Sequence, residues 1–422
     1  MDHENCLGIL ITKKGTELYI IKPIGEGATS IVYLALDKDN KEYAVKLYTN
    51  SDSYSIEVSR LRNLTPSKYI VKLISYGQGH LERGYSYNSY KLFNHFDADK
   101  VYYSIYEYLK NGELHNYIFL LKKKFSEEIS RKIFYDLVKA VETCHKCGIT
   151  HGDIKLQNIL LNSNFNIKLI DFGFAKNIKD GLISEITGTR FYNAPEMFCC
   201  ATKGYDGVMA DIFSLGVVLF ILVMGFYPFE KPNITDSRYK FISKKDYPGF
   251  WKKCEQKLSS NSSYTGSSHE FKDLFEKMVS YRPKERININ EIKKHPWLKE
   301  LFKLYGDLEQ DEEVEIAKNL DKKKSNSPKK VKNLSHNTSF NKNDNNNLEN
   351  KGNFSDGFHH VHLNEKNFLT VYDNEDDNTK ESHQKNYLNS KAKDFEVKYL
   401  KELSLRKISI DNILNEQEDD AD

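Results

Sequence analysis

The stretch HGDIKLQNILL, residues 151–161, is followed after a short polar turn by IKLIDFG, residues 167–173. It places Asp153 two residues after a histidine, Asn158 five residues after that aspartate, and Asp171 directly after a short apolar run that is typical of a strand. Either motif alone is common by chance, but the two in this order form a highly specific pattern. The pattern marks the part of the chain where a chemical site is expected.

Composition and charge exclude several classes of protein. The 422-residue chain is 39% hydrophobic, 29% charged and has a mean hydropathy of −0.63, which predicts a folded part joined to a polar part. A net charge of +2 gives no reason to expect nucleic acid as a partner. The start MDHENCLGIL does not resemble a signal peptide, and the longest uncharged apolar stretch, residues 215–226, is shorter than the roughly 20 residues that span a bilayer. We therefore expect no membrane partner and a cytoplasmic, or alternatively nuclear, location.

Six cysteines occur, and two of them, Cys144 and Cys147, form a CxxC motif around His145. A metal or redox site is one interpretation of this motif. Because no second CxxC or histidine pair has ligand spacing, we expect thiols that pack structurally in a reduced compartment.

The composition changes near residue 300. From Asp307 onward the chain is rich in Asn, Lys, Asp and Glu, so it buries too little apolar surface to offset the entropy of ordering. We expect an N-terminal extension (1–17), a folded domain (18–298) and a largely disordered polar tail (299–422). Within the tail, residues 395–414 regain apolar residues at helical spacing, which predicts either a docking helix or a transient amphipathic segment.

The folded domain reads as strands followed by helices. LYIIKPIG, SIVYLALD, EYAVKLY, YIVKLISYG and YYSIYEYL are strand-like, SIEVSRLRNL is helical, and residues 78–100 form a polar, Tyr-rich insertion between the last two strands. After Gly112 the pattern is helical, most clearly in SEEISRKIFYDLVKAVETCHKCG, where Ser126 is placed to cap the helix. The pattern predicts a strand-rich small lobe and a helical large lobe.

Residues 24 to about 298 resemble a eukaryotic protein kinase domain. The motifs that carry the resemblance occur in family order, namely IGEGATSIVYLA (24–35), Lys46 in EYAVKLY, HGDIKLQN, DFG, GTRFYNAPE (188–196), ADIFSLGVVLF (210–220) and HPWL (295–298). The catalytic-loop and GTRFYNAPE motifs resemble serine/threonine kinases, and the large lobe is most similar to the calcium/calmodulin-dependent group. The resemblance implies an α+β, two-lobed protein kinase fold with a β-rich N-lobe (about 18–109) and a mostly helical C-lobe (about 110–298), to which the composition adds a disordered C-terminal tail.

The resemblance also implies ATP and Mg²⁺ as cofactors and transfer of the γ-phosphoryl group to Ser or Thr hydroxyls of protein substrates. Kinases catalyse this reaction mainly by positioning the reacting groups and stabilising charge. The implied site residues are a catalytic base with a neighbouring cation (Asp153, Lys155), a phosphate-binding lysine with its ion-pair partner (Lys46, Glu57) and two magnesium ligands (Asn158, Asp171).

A nucleotide pocket follows from the same resemblance. Its implied residues are Ile24, Gly25, Glu26, Gly27, Ala28, Thr29, Ser30, Ile31, Val32, Ala44, Lys46, Glu107, Leu109 and Leu160. Glycines allow the backbone to approach phosphate closely, and Ser30 replaces the third glycine of the family pattern. The backbone of Glu107 and Leu109 is expected to hydrogen-bond the base, with Tyr106 closing the rear of the pocket.

Two large-lobe features fit the same resemblance. Arg286 is the expected ion-pair partner of Glu196, and Asp211 matches an aspartate that braces the catalytic loop from a buried helix. Both predictions concern support of the site.

Two alternatives to an active enzyme remain open. A pseudokinase scaffold would usually lack one of Lys46, Asp153, Asn158 or Asp171, and none is missing. In the other alternative the tail binds partners and the kinase domain is its anchor. Calmodulin is not predicted as a partner, because residues 307–315 are acidic and no EF-hand pattern occurs.

The sequence also suggests a substrate preference. Glu113 occupies the position where related kinases hold an arginine three residues before the phosphorylated site, while Gln157 is neutral at the second acidic position. This predicts a mild preference for one upstream Arg. Arg406 precedes Ser409 by three residues, which makes Ser409 a candidate autophosphorylation site.

Regulation is expected to depart from the common pattern. Gly152 replaces the arginine that many kinases carry beside the catalytic Asp, and Glu185 occupies the usual phosphorylated position. Both changes predict an activation segment that is competent without phosphorylation. The alternative is that Ser184 or Thr187 is phosphorylated in its place.

Overall fold

The computed structural model describes residues 6–84, 86, 92, 94–121, 124–199, 203–258, 266–305, 385–401 and 404. The N-lobe is a closed, six-stranded antiparallel barrel with the strand order β1-β2-β3-β4-β6-β5. Its strands are β1 (Gly8–Thr12), β2 (Glu17–Gly27), β3 (Ser30–Leu36), β4 (Glu42–Tyr48), β5 (Leu73–Arg83) and β6 (Val101–Glu107), and helix α1 (Ser51–Arg62) packs against β4, β5 and β6.

Strand β1 closes the barrel, although it lies in the segment assigned to an N-terminal extension. Leu10 pairs with Leu18 on β2 and with Leu81 on β5, and all three side chains are buried. A Cβ at Gly79 would clash with the Ile11 carbonyl oxygen, so this glycine permits the close approach of β1 to β5. Closure covers the β2 and β5 edges that would otherwise be exposed.

The predicted insertion at residues 78–100 is partly strand. β5 continues to Arg83, so the prediction was wrong for residues 78–83. Further along, Leu92 and Phe96 are buried in the barrel core, and the Phe96 ring lies edge-on to Tyr33 at 6.4 Å. Apolar side chains within the polar segment therefore anchor it to the N-lobe.

The C-lobe is mainly helical, which confirms the two-lobed fold. Its helices are α2 (Leu114–Phe119), α3 (Glu127–Lys146), α4 (Gly207–Met224), α5 (Tyr239–Ser243), α6 (Tyr247–Leu258), α7 (His269–Met278), α8 (Ile289–Lys294) and α9 (residues 299–305). Two small antiparallel sheets pair β7 (Ile149–Thr150) with β10 (Lys176–Asn177), and β8 (Ile159–Leu161) with β9 (Ile167–Leu169). The predicted cap of α3 is confirmed, since the hydroxyl of Ser126 accepts the Ile129 N–H at 3.3 Å.

Helix α4 is the apolar centre of the C-lobe. By length and composition it could cross a membrane, but 83% of it is buried inside the C-lobe. Asp206 caps its start by accepting the Val208 N–H at 2.8 Å, and Gly225 ends it with φ +77°, in the left-handed region that favours glycine. A core helix of a folded domain accounts for this composition.

The predicted pairing of Arg286 with Glu196 is confirmed. Two guanidinium N–H groups donate to the two Glu196 oxygens, each at 2.6 Å, and the Arg286 side chain is fully buried. Arg286 also donates to the carbonyl oxygens of Ser280 and Met209, both at 2.9 Å. This fork ties the end of the activation segment to α4 and to the loop before α8.

A helix of residues 385–401, called the tail helix below, packs on the C-lobe. Its buried side chains Leu388, Ala392, Phe395 and Tyr399 join the C-lobe core. The helix predicted for 395–414 overlaps it only over 395–401, and residues 402–403 and 405–414 lie outside the described residues, as do residues 306–384.

Candidate active site

Lys46 contacts two carboxylates, one from each lobe. Its Nζ on β4 lies 2.6 Å from Glu57 Oε2 on α1 and 3.1 Å from Asp171 Oδ1 in the C-lobe. Tyr106, near the end of β6, donates its hydroxyl to the other Glu57 oxygen at 3.1 Å. Both oxygens of a carboxylate that is 4% exposed are therefore hydrogen-bonded, and α1 is held with Glu57 facing inward.

Lys46 and Asp171 have defined charges, whereas burial raises the pKa of Glu57 above its ordinary value. Burial alone would lower the pKa of Lys46, but the charges of Asp171 and Glu57 outweigh it and raise that pKa above its ordinary value. Burial alone would raise the pKa of Asp171, but Lys46 lowers that pKa to about 2. At neutral pH Lys46 is therefore a cation and Asp171 an anion.

Asp153 is fixed through both of its carboxylate oxygens. Lys155 Nζ lies 2.7 Å from Oδ2, and Asn158 Nδ2 donates to the same oxygen at 3.1 Å. The Thr189 hydroxyl donates to Oδ1 at 2.9 Å and accepts from Lys155 Nζ at 3.0 Å. The carboxylate is 4% exposed, so three neighbours set its orientation in a nearly dry location.

Asp211 on α4 braces the loop that carries Asp153. Its two oxygens accept the backbone N–H groups of His151, at 2.8 Å, and Gly152, at 2.9 Å. Gly152 has φ +77°, and a Cβ there would lie 2.8 Å from the Phe174 carbonyl oxygen. The glycine therefore relieves both backbone strain and crowding at this turn.

Asn158 and Asp171 lie side by side at the open end of the β8–β9 hairpin. The Ile170 N–H donates to the Asn158 carbonyl oxygen at 2.9 Å, which places the residue before β8 next to the residues after β9. The amide nitrogen of Asn158 donates to Asp153, so its side-chain oxygen is the atom that Asn158 can offer to a cation. An ionised carboxylate and an amide oxygen fit a hard cation such as Mg²⁺.

The β2–β3 hairpin carries the predicted nucleotide loop. Gly25 pairs with Val32 and Gly27 with Ser30, so residues 28 and 29 form the turn. Residues 26–29 are exposed, whereas Ser30 is 7% exposed. The tip is therefore accessible to a ligand, while the serine that replaces the third glycine is turned inward.

The apolar residues predicted for the nucleotide pocket differ in their surroundings. Ala44 on β4 and Leu160 on β8 are partly buried against the C-lobe core, and Ile24 and Val32 are half-buried on neighbouring strands. Ile31 lies in the barrel core, so its side chain supports the loop from behind.

The side chain of Glu107, the last residue of β6, holds the start of the segment between the lobes. Glu107 Oε1 lies 2.9 Å from Lys168 Nζ and accepts the Lys72 N–H at 2.9 Å. The Glu107 N–H donates to the Lys72 carbonyl oxygen, and the Leu109 carbonyl oxygen accepts the Gly112 N–H. The predicted contacts of a base with this segment therefore involve the Glu107 carbonyl oxygen and the Leu109 N–H.

Sequence reasoning missed two residues of the site. Thr189 lies in the quoted motif GTRFYNAPE, but a single threonine gives no signal that its hydroxyl contacts Asp153. His145 drew attention in the sequence only as part of the CxxC motif. In the structure its Nε2 lies 2.9 Å from Asp211 Oδ2. Cys144 and Cys147 are free thiols, and among the described residues no group of three or more His, Cys, Asp or Glu could hold a metal ion.

Comparison with known proteins agrees with this geometry. The family model of the protein kinase domain matches residues 18–298. CBL-interacting protein kinase 11 of Oryza sativa subsp. japonica is 32% identical over 280 residues, which cover 65% of this chain and 50% of the relative. Serine/threonine-protein kinase SIK2 of Gallus gallus is 32% identical over 282 residues, which cover 66% of this chain and 31% of the relative.

A third relative, CBL-interacting serine/threonine-protein kinase 12 of Arabidopsis thaliana, is 32% identical over 287 residues, with 67% of this chain and 52% of the relative covered. The chain thus spans about half or less of the length of these relatives. They agree with the resemblance to the calcium/calmodulin-dependent group. Because the family model covers more than half of the chain, including every site residue described above, the chain belongs to the protein kinase family.

Proposed function

We propose that this chain is a serine/threonine protein kinase, which transfers the γ-phosphoryl group of ATP to Ser and Thr hydroxyls of protein substrates with Mg²⁺ as cofactor. One observation carries the proposal: the Asp153 carboxylate is oriented by Lys155, Asn158 and Thr189 in a fold that also holds Lys46 between two carboxylates. The serine/threonine kinases among the relatives support the choice of acceptor.

In this proposal the protein acts by positioning and by charge. Asp153 orients the acceptor hydroxyl and accepts its proton, while Lys155 balances charge on the transferring group. Lys46 holds the α- and β-phosphates, and Glu57 fixes its Nζ. Asn158 and Asp171 would hold Mg²⁺, which would supply positive charge against the negative charge of the phosphates.

A scaffold without activity is the rival function. A kinase fold that served only for binding would not need the Asp153 carboxylate fixed at both oxygens, nor a charged Lys46. The completeness of this set supports an active enzyme. A role of the tail in binding partners is compatible with either function.

Glu113 supports a preference for an upstream arginine. Glu113 stands at the N-cap of α2, yet its carboxylate makes no capping hydrogen bond. Burial raises the pKa of Glu113 to about 7, although Lys155 partly opposes the shift. A cationic side chain of a substrate would favour the ionised form, so recognition of Arg depends on pH near neutrality.

The activation segment supports control without phosphorylation. Glu185, at the position that the family resemblance gives to a phosphorylated residue, lies 2.9 Å from Lys176 Nζ. Both side chains are substantially exposed, so the pair contributes at most about 1 kcal/mol. Further support comes from Thr187, whose carbonyl oxygen accepts a hydrogen bond from Asn193 Nδ2 at 2.8 Å, so the last part of the segment is held by a contact within the segment that involves no phosphate.

We also propose a cytoplasmic location, with a nuclear one as the alternative. The four cysteines whose side chains the structure describes, at positions 6, 144, 147 and 254, are free thiols, which suits a reducing compartment.

The test of the function is Mg²⁺-dependent phosphorylation of a generic Ser/Thr protein substrate by the full chain. Asp153→Asn and Lys46→Met should each lower kcat by roughly 10²- to 10⁴-fold, because one removes the base and the other the phosphate contact. Asp39→Asn and Lys41→Met, at exposed positions of the β3–β4 turn, are the matched controls. Full activity of the Asp153→Asn chain would show that the base is assigned wrongly.

The second prediction concerns pH. For two peptides that differ only in Arg or citrulline three residues before the serine, the kcat/KM of the Arg peptide divided by that of the citrulline peptide should rise through the pKa of about 7 and level off roughly one pH unit above it. At one pH unit below the pKa only roughly a tenth of Glu113 is ionised, so the arginine has little to bind. The ratio cancels effects of pH on the chemical step.

Glu113→Gln is the control for this measurement, since it keeps the shape of the side chain and removes the titration. Its ratio should stay low and flat between pH 6 and 8. A wild-type ratio that is equally flat would rule out Glu113 as the arginine site.

The third prediction concerns phosphorylation. The full chain treated with phosphatase should keep its initial rate at saturating ATP, and so should the Ser184→Ala/Thr187→Ala double variant. The reason is that Gly152 carries no charge that a phosphate must neutralise. A large loss of rate in the treated wild type, with no further loss on treating the double variant, would contradict this.

A further inference from the structure

The tail helix presents one apolar face to the C-lobe. Leu388, Ala392, Phe395 and Tyr399 are each at most 6% exposed, and their spacing of four, three and four residues places them on one side of a helix. On the opposite side Val397 is 64% exposed. The apolar face is therefore occupied by the C-lobe and the other face is open to solvent.

Three aromatic side chains of the C-lobe, called the aromatic groove below, receive this face. The Phe395 ring centroid lies 5.1 Å from that of Phe125, 5.6 Å from Tyr117 and 5.8 Å from Phe165. Tyr117 belongs to α2, Phe125 precedes α3 and Phe165 lies in the turn between β8 and β9. A single tail residue thus bridges three separate elements of the C-lobe.

Polar contacts fix the register of the helix in the groove. The Tyr399 hydroxyl donates to the Phe165 carbonyl oxygen at 3.1 Å, and Lys398 Nζ donates to the Asn166 side chain. Lys132 Nζ lies 5.8 Å from the centroid of the Tyr399 ring. The contact between the tail helix and the β8–β9 turn is therefore directional as well as apolar.

Phe165 has a backbone conformation that its side chain does not favour. Its φ is +58°, in the left-handed region, where Asn is enriched and a bulky residue is uncommon. The two ring contacts that accompany this conformation are both with the tail helix: Phe395, and Lys391 with Nζ 6.0 Å from the ring centroid. Docking of the tail helix therefore gives a reason for an aromatic side chain at a position that suits asparagine.

The same turn is the back of the hairpin that presents the magnesium ligands. Asn158 immediately precedes β8, and Asp171 follows β9 by two residues. Leu161, at the end of β8, donates its N–H to the Gly112 carbonyl oxygen at 2.8 Å and accepts the Asn111 N–H at 3.1 Å. The turn is therefore connected through β8 and β9 to the end of the hairpin that carries the magnesium ligands. Through Leu161 it is also connected to the segment between the lobes.

We propose that residues 385–401 are a built-in docking helix that occupies the aromatic groove of its own chain and holds the β8–β9 hairpin in the geometry that binds Mg²⁺ and nucleotide. The proposal rests on the proposed function for the identity of that ligand. Occupation by the same chain follows from the path: Tyr305, where the described C-lobe ends, lies with its ring 4.9 Å from Lys132 Nζ, beside the end of the tail helix. The 79 residues 306–384 are long enough to return to the start of a helix of about 25 Å.

The test compares Phe395→Ala with Val397→Ala in the full chain. Amide hydrogen exchange in residues 385–401 and in the turn 162–166 should become faster by roughly tenfold or more in Phe395→Ala, because the burial of one aromatic ring contributes a factor of this order. The Mg²⁺ concentration that half-saturates ADP binding should rise several-fold. Val397→Ala, on the exposed face of the same helix, should change neither quantity.

A synthetic peptide of residues 385–401 added to the Phe395→Ala chain should restore slow exchange in the turn, whereas the same peptide carrying Phe395→Ala should not. Unchanged exchange in the Phe395→Ala chain overturns the docking. Faster exchange with an unchanged Mg²⁺ requirement overturns its effect on the hairpin, and wild-type protection that depends on chain concentration overturns occupation by the same chain. Exchange and ADP binding need no phosphoryl transfer, so a chain that docks its tail but transfers no phosphate contradicts only the proposed function.

Discussion

The position of Lys46 between Glu57 and Asp171 is the constraint on which the rest of the site depends. The three residues come from β4, from α1 and from the segment after β9, so one ammonium group fixes the barrel, the helix and the C-lobe relative to one another. Burial of an ion pair is costly unless its geometry and hydrogen bonds are complete. Here Tyr106 supplies the remaining bond to Glu57, which makes the arrangement tolerable.

In the catalytic loop, too, buried charged groups have their hydrogen bonds complete. Asp211, buried in α4, accepts two backbone N–H groups of the loop, and Asp153 is then oriented by its own neighbours. Both aspartates are almost fully buried, and each has a hydrogen-bond partner at each oxygen. The C-lobe core thus provides a rigid support on which a small number of charged groups keep fixed positions, which is what catalysis by preorganised charge requires.

The sequence predicted the parts of this arrangement that are local or that belong to a recognised motif. Asp153 and Asn158 lie within one short segment, and the pairing of Arg286 with Glu196 was predicted across 90 residues because the family resemblance implies it. Thr189 was missed because its contact with Asp153 spans 36 residues and depends on the fold of the activation segment.

Two fold elements were also missed or misplaced, for a related reason. β1 has only five residues, too few for a periodic pattern, and it is stable only because it pairs with strands on both sides. The tail helix was placed too late, since Leu388 and Ala392 stand among polar residues in the sequence and are buried only because the helix packs on the C-lobe core. Long-range packing decides both elements, and a local pattern does not contain it.

The most direct test of this account is the kcat/KM of the Glu57→Gln chain. Lys46 keeps Asp171 as a partner in this variant, so its charge stays compensated and the fold should be retained, as an unchanged thermal midpoint would show. The lysine is then free to move onto Asp171 and away from the phosphates, and we expect kcat/KM to fall by roughly 100-fold, about 2.7 kcal/mol of transition-state stabilisation. A folded Glu57→Gln chain with the kcat/KM of the wild type would contradict the central role given to this ion pair.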